Sequence, residues 1–94
     1  MYFEWDRVKN IENERKHGIS FREAIRIWDE IHVEAEAIAH AHDGEERNAT
    51  LGWIKDKLYV AIWAMRDGKI RLISVRRARK NEEDIFFEKL QKRS

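Results

Sequence analysis

The residues best suited to chemistry in this chain are arginines that follow a predicted turn. Asp67-Gly68 lies between two apolar runs and predicts a two-residue hairpin turn, because Asp and Gly tolerate the positive φ that such turns need. The strand that leaves the turn carries Arg71, Arg76 and Arg77. A strand holds guanidinium groups in fixed directions, and guanidinium pairs well with phosphate. This segment therefore points to nucleic acid.

Alternation along the strand separates these cations. Adjacent strand residues point to opposite faces, so Arg76 shares a face with Ser74 and Arg77 does not. Arg66 lies across the predicted hairpin from the start of the same strand. The local density of positive charge favours a phosphate-binding surface. The alternative is a solvated sheet edge with cations at the strand ends.

Two other places offer acid–base groups. His17 follows Lys16 at a predicted helix C-terminus, and histidine transfers protons near neutral pH. Glu46 precedes Arg47, so its carboxylate could be a general base oriented by the arginine. The simpler alternatives are a polar helix-capping residue at His17 and a surface ion pair at Glu46.

Aromatic and histidine residues add a stacking candidate and a metal alternative. Trp53, followed by Lys55, could stack on a base of single-stranded RNA. His40 and His42 would share a face of a strand, with His32 as the remaining candidate ligand. Metal sites usually need three protein ligands from different elements. We therefore expect no metal and no cofactor.

Charge is distributed unevenly, although the formal net charge is only +1. Residues 28–46 contain seven acids and no Lys or Arg, whereas residues 47–80 contain ten bases and two acids. This asymmetry is typical of a nucleic-acid surface beside an acidic flank, or of oppositely charged strands paired in one sheet.

The 94 residues predict a single domain over 1–94. There is no cysteine, which rules out disulfides and thiolate chemistry. There is no long apolar run and no signal-peptide pattern, so we expect a cytoplasmic protein that does not enter a membrane.

Periodicity and capping residues predict the elements that position these groups. Asp6 can cap a helix over 7–16, with Val8 and Ile11 facing inward, and Gly18 ends it. Ser20 opens a second helix, whose inward face would carry Phe21, Ala24, Ile25, Trp28 and Ile31. Alternating segments then predict strands, and Phe86 lies inward on a last helix. The predicted fold is α+β: two N-terminal helices packed on a four-stranded antiparallel meander, then a C-terminal helix.

An ordered set of short matches resembles the BrnT family of bacterial type II toxins. The resemblance extends over nearly the whole chain, through Phe3-Glu4-Trp5-Asp6, Lys9, Asn13, Lys16-His17-Gly18-Ile19-Ser20-Phe21, Glu23-Ala24, Asp43, Glu45-Glu46-Arg47, Gly52, Leu58, Val60, residues 71–78 and Glu82. Phe86 stands where the family usually has Tyr, so a role for that hydroxyl is lost here.

The resemblance implies a RelE-like ribonuclease fold and a toxin that cleaves RNA without metal and halts translation. It also implies a BrnA-like antitoxin that sequesters the toxin and contacts DNA through its own domain. Such cleavage needs a base, an acid and cations for the phosphorane. We expect the catalytic residues to be His17, Glu46, Arg47, Arg66 and Arg76, and the RNA-binding residues to be Lys16, Trp53, Arg71, Ser74 and Arg77. The alternative function is a nucleic-acid or protein binding module without catalysis.

Overall fold

A single sheet organises the chain in the computed structural model, which describes residues 2–40 and 46–92. In chain order the elements are β1 (Phe3–Trp5), α1 (Arg7–His17), α2 (Phe21–Ala24), a 3₁₀ helix (Ile25–Asp29), β2 (His32–His40), β3 (Glu46–Ile54), β4 (Lys57–Arg66), β5 (Lys69–Arg77) and α3 (Lys80–Lys92).

The sheet is mixed, and its strand order is β1-β5-β4-β3-β2. β2 to β5 pair as antiparallel neighbours, but β1 joins the edge of β5 in parallel, with Phe3 opposite Ile70 and Trp5 opposite Leu72. The predicted four-stranded antiparallel meander with two N-terminal helices is therefore wrong. The partner of this three-residue strand lies more than sixty residues away, so no local pattern indicates the parallel pairing.

Helical segments cover both faces of the sheet. Phe86 of α3 is fully buried against a cluster that includes Leu51 and Val60, and we call this side the front face. Phe21 of α2 is fully buried in a second cluster with Leu72, on the side that we call the back face. The core thus has two layers, one on each side of the sheet.

The second predicted helix is shorter and tighter than its sequence suggests. Only Phe21–Ala24 is α-helical, a 3₁₀ helix follows, and helical structure ends at Asp29. Phe21, Ala24 and Ile27 are each fully buried, and their spacing of three residues matches the three-residue turn of a 3₁₀ helix. Ile31, predicted to face inward, is 65% exposed.

The first helix is held differently from the prediction. Val8 and Ile11 are 62% and 51% exposed, so their predicted inward orientation is wrong. In α1, which the structure describes from end to end, the buried residue is the polar Asn13. The helix lies beside β5, where an amide side chain can bond to the strand backbone. No helix in the described part of the chain is long and apolar enough to cross a membrane.

Candidate active site

A bulge in β5 decides which side chains reach the front face. Trp63 of β4 pairs with Leu72, whereas its neighbour Ile62 pairs with Ser74, so Ile73 is an extra residue. Bulges redirect side chains and occur often beside active sites. Here the bulge sends Val75 into the back core, and Ser74 takes the same face as Ile62.

The C-terminal turn of α1 forms a cleft with this part of β5. The cleft has a volume of about 190 Å³ and is lined by Lys9, Glu12, Asn13, Lys16, His17, Ile73 and Ser74. Gly18 ends the helix at φ 73° and donates its backbone N–H to the carbonyl of Glu14 at 2.9 Å, which fixes the end of α1 just after His17. The structure therefore brings together Lys16, His17 and Ser74, three of the predicted site residues.

His17 has an environment that disfavours its charged form. Partial burial lowers the pKa of the imidazole, and the positive charges of Lys16 and Arg76 lower it further. A histidine with a pKa below its usual value is neutral at pH 7 and can accept a proton. Arg76 lies two residues after Ser74 on the same face of β5.

Arg76 is bound in a bidentate ion pair with Glu82 at the start of α3. Its Nη1 and Nη2 donate to Oε1 and Oε2 of Glu82, each at 2.8 Å. The Arg79 backbone N–H also donates to Glu82 Oε1 at 2.8 Å. The hydrogen bond from Arg76 lowers the pKa of Glu82 and raises the pKa of Arg76, with burial opposing both shifts. The pair orients the guanidinium but offsets part of its charge.

Three further predicted arginines share the front face with Arg76. Arg71 pairs with Ala64 of β4, and alternation places Ala64 and Arg66 on the same side as Ile62. Arg71 also lies 3.6 Å from the Glu4 carboxylate. Arg47 alternates with the front-face residue Ala49, and its buried Nε has no hydrogen-bond partner among the described residues.

Other predicted residues lie elsewhere. Glu46 precedes Arg47 in a regular strand, so it points to the back face, and it is not among the residues that line the cleft. Arg77 also faces back, with its guanidinium carbon 5.9 Å from the ring centroid of Tyr59. Trp53 is on the front face, but its ring packs against Phe86 and Phe87 of α3 at centroid distances of 5.9 and 6.2 Å.

The histidine metal alternative falls largely outside the described part of the structure. His42 and the side chain of His40 both lie outside it. Within the described part of the chain, no group of three His, Cys, Asp or Glu side chains could hold a metal ion.

Four residues that sequence reasoning did not assign to the site also belong to its surroundings: Lys9, Glu12, Asn13 and Glu82. A sequence signal did exist for the first three. Positions 9, 12, 13 and 16 follow the spacing of one helix face, and Lys16 was already a candidate. No sequence pattern marks Glu82 as the partner of Arg76.

Comparison with known proteins identifies the family. The chain matches, over residues 5–82, a family described as the ribonuclease toxin BrnT of type II toxin–antitoxin systems. Among curated proteins, no relative matches the chain significantly. The family match includes every residue of the cleft and the Arg76–Glu82 pair, and it implies an RNA substrate and an antitoxin partner. The chain therefore belongs to the BrnT family of type II ribonuclease toxins.

Proposed function

We propose that this protein is a metal-independent endoribonuclease toxin whose active site is the cleft between α1 and β5. The observation that carries the proposal is the meeting of His17 and Ser74 in one cleft, with Arg76 on the same face of β5 two residues after Ser74. Cleavage by the RNA 2′-hydroxyl requires a proton acceptor, a proton donor and a fixed cation, and His17, a lysine of the cleft and Arg76 are groups of these types.

In the proposed reaction, neutral His17 takes the proton of the 2′-hydroxyl. The 2′-oxygen attacks phosphorus, the bond from phosphorus to the 5′-oxygen breaks, and the products are a 2′,3′-cyclic phosphate and a 5′-hydroxyl. The proton on the leaving oxygen comes from an ammonium of the cleft, Lys9 or Lys16. Arg76, oriented by Glu82, stabilises the charge of the phosphorane.

The remaining predicted residues lie outside the cleft and are proposed to have other roles. Arg47, Arg66 and Arg71 share the front face with Ser74 of the cleft and would contact the phosphates that flank the cleaved one. Glu46 and Arg77 point to the back face and do not line the cleft, so the geometry favours His17 over Glu46 as the base. Trp53 packs on α3, and its proposed stacking on RNA would use only the exposed part of the ring.

In the cell, the proposed activity cuts transcripts in the cytoplasm and thereby stops translation. We further propose that the antitoxin is BrnA-like, covers the front face and alone contacts DNA. Its binding would block the flanking arginines and the cleft together.

The test is cleavage of a defined RNA by the purified toxin in excess chelator. We expect new 5′-hydroxyl ends and 2′,3′-cyclic phosphates even though the chelator removes free metal ions from the reaction. RNA binding that weakens steeply with salt, without cleavage, would instead select the non-catalytic binding module. Loss of cleavage on chelation would contradict the metal-independent mechanism.

A further inference from the structure

We propose that Asn13 is a positioning residue of the site, which fixes His17 on α1 relative to Ser74 and Arg76 on β5. This inference rests on the proposed function, and it adds a residue that contacts no reacting atom. Asn13 lies one helical turn before His17. Val75, to which Asn13 bonds, lies between Ser74 and Arg76.

The Asn13 side chain makes three hydrogen bonds to the backbone. Its Nδ2 donates to the Val75 carbonyl at 2.9 Å and to the Ile19 carbonyl at 3.0 Å. Its Oδ1 accepts from the Val75 N–H at 3.0 Å. Asn13 is only 6% exposed, so these bonds are shielded from water, and losing them would leave buried backbone groups unpaired.

The position of these bonds explains their importance. β1 pairs with β5 only as far as Leu72, so the outer edge of β5 needs another partner beyond the bulge. The Asn13 amide, which has one donor and one acceptor side like a peptide group, satisfies both backbone groups of Val75. α1 is thereby attached to the strand at the residue between the two site residues.

The groups around His17 come from both elements. Lys16 and Glu12 lie on α1, and Ser74 and Arg76 lie on β5. If α1 shifts relative to the strand, the imidazole keeps its helix neighbours but changes its distance to Ser74 and Arg76. Displacement by about 1 Å can reduce a catalytic rate about a hundredfold.

Asn10 provides a matched control on the same helix. Its Oδ1 accepts from the Phe21 N–H at 2.8 Å, so it ties α1 to α2 rather than to β5. Asn10→Ala and Asn13→Ala both remove an amide that anchors α1. Only Asn13→Ala removes the link between His17 and the strand.

The experiment measures kcat and KM for RNA cleavage by Asn13→Ala, Asn13→Gln and Asn10→Ala, with folding checked by circular dichroism. Asn13→Gln retains the amide on a side chain about 1.5 Å longer, so it can restore stability without restoring position. We expect kcat to fall about a hundredfold in both Asn13 variants, with KM little changed. Asn10→Ala should retain the wild-type kcat.

A second readout does not depend on activity. The His17 ring resonances are followed by NMR as the pH is varied, and they are assigned by their absence in His17→Gln. The pH midpoint of the His17 titration should differ from the wild type in Asn13→Gln and stay unchanged in Asn10→Ala. If the wild-type protein cleaves no RNA, the proposed function fails, but this titration still tests the role of Asn13. A folded Asn13→Gln variant with wild-type kcat, or with an unchanged His17 titration, would overturn the inference. If Asn13→Ala does not fold, the kcat and the His17 titration of Asn13→Gln test the inference.

Discussion

The two long helices are held on the sheet by different forces. α3 is fixed by apolar burial, because Phe86 is fully buried among front-face residues of the sheet. α1 is fixed by directional hydrogen bonds from Asn13 to the edge of β5, while Val8 and Ile11 remain exposed. Apolar burial has no preferred direction, whereas hydrogen bonds define one position. Because the buried residue of α1 is polar, the helix that carries His17 is positioned mainly by hydrogen bonds.

Hydrogen bonds from both helices meet on β5. Arg76 bonds to Glu82 of α3, and the adjacent Val75 bonds to Asn13 of α1. Residues 74–76 therefore have a partner from each helix. This arrangement can hold a proton acceptor and a cation at a fixed separation.

The largest expected effect is on α3. Phe86→Ala should cost about 3–5 kcal/mol of unfolding free energy, because it removes a fully buried ring and leaves a cavity. Phe87, next to it and 47% exposed, is the matched control. Urea unfolding should show a clearly smaller loss for Phe87→Ala. Equal losses would mean that α3 is not anchored through Phe86.

The next largest loss of unfolding free energy is expected when the ion pair between α3 and β5 is broken. Glu82→Ala leaves Arg76 without its partner and should cost about 3 kcal/mol. The control is Glu88→Gln, whose 3.3 Å pair with Lys92 is exposed and should be worth less than about 1 kcal/mol. Chemical unfolding of both variants at pH 7 compares the two pairs directly.

Glu82 also gives the pair a pH dependence with a definite sign. Its pKa is lowered in the folded protein, so its stabilisation is complete above the unfolded value of about 4.3. That stabilisation is lost as the pH falls through the lower, folded pKa. Below pH 5, the unfolding free energy should fall more steeply with decreasing pH for the wild type than for Glu82→Gln. Parallel curves would contradict the assigned pair.

The smallest effect is expected on the exposed side of α1. Ile11→Gln should change the unfolding free energy by no more than about 0.5 kcal/mol, because the side chain is 51% exposed. Thermal unfolding would detect a larger loss. A cost above about 1.5 kcal/mol would show that α1 depends on apolar packing after all.

Local features of the fold were predictable because a few neighbouring residues determine them. Asp6 caps α1 by accepting from the Val8 and Lys9 N–H groups, and Ser20 caps α2. Asp67-Gly68 forms the predicted turn, with φ of 52° and 76°. The parallel pairing of β1 was not predictable, since it depends on distant backbone groups rather than on a local pattern.

For the candidate site, the sequence indicates which residue types could take part but not how they are arranged. Alternation alone indicates that Glu46 and Arg47 cannot face one cleft. The bulge at Ile73 was not visible, because Leu72 and Ile73 are both apolar and either could be the extra residue. Asn13 was missed as a site residue because a polar residue in a helix usually faces solvent.

The most direct test compares His17→Gln with Glu46→Gln in RNA cleavage by the purified, folded toxin. Both substitutions remove a candidate base and keep a side chain of similar size. If the cleft is the active site, His17→Gln should reduce kcat by about a hundredfold or more, and Glu46→Gln should retain the wild-type rate. Normal cleavage by His17→Gln with loss of cleavage in Glu46→Gln would contradict the central claim and move the active site to the back face.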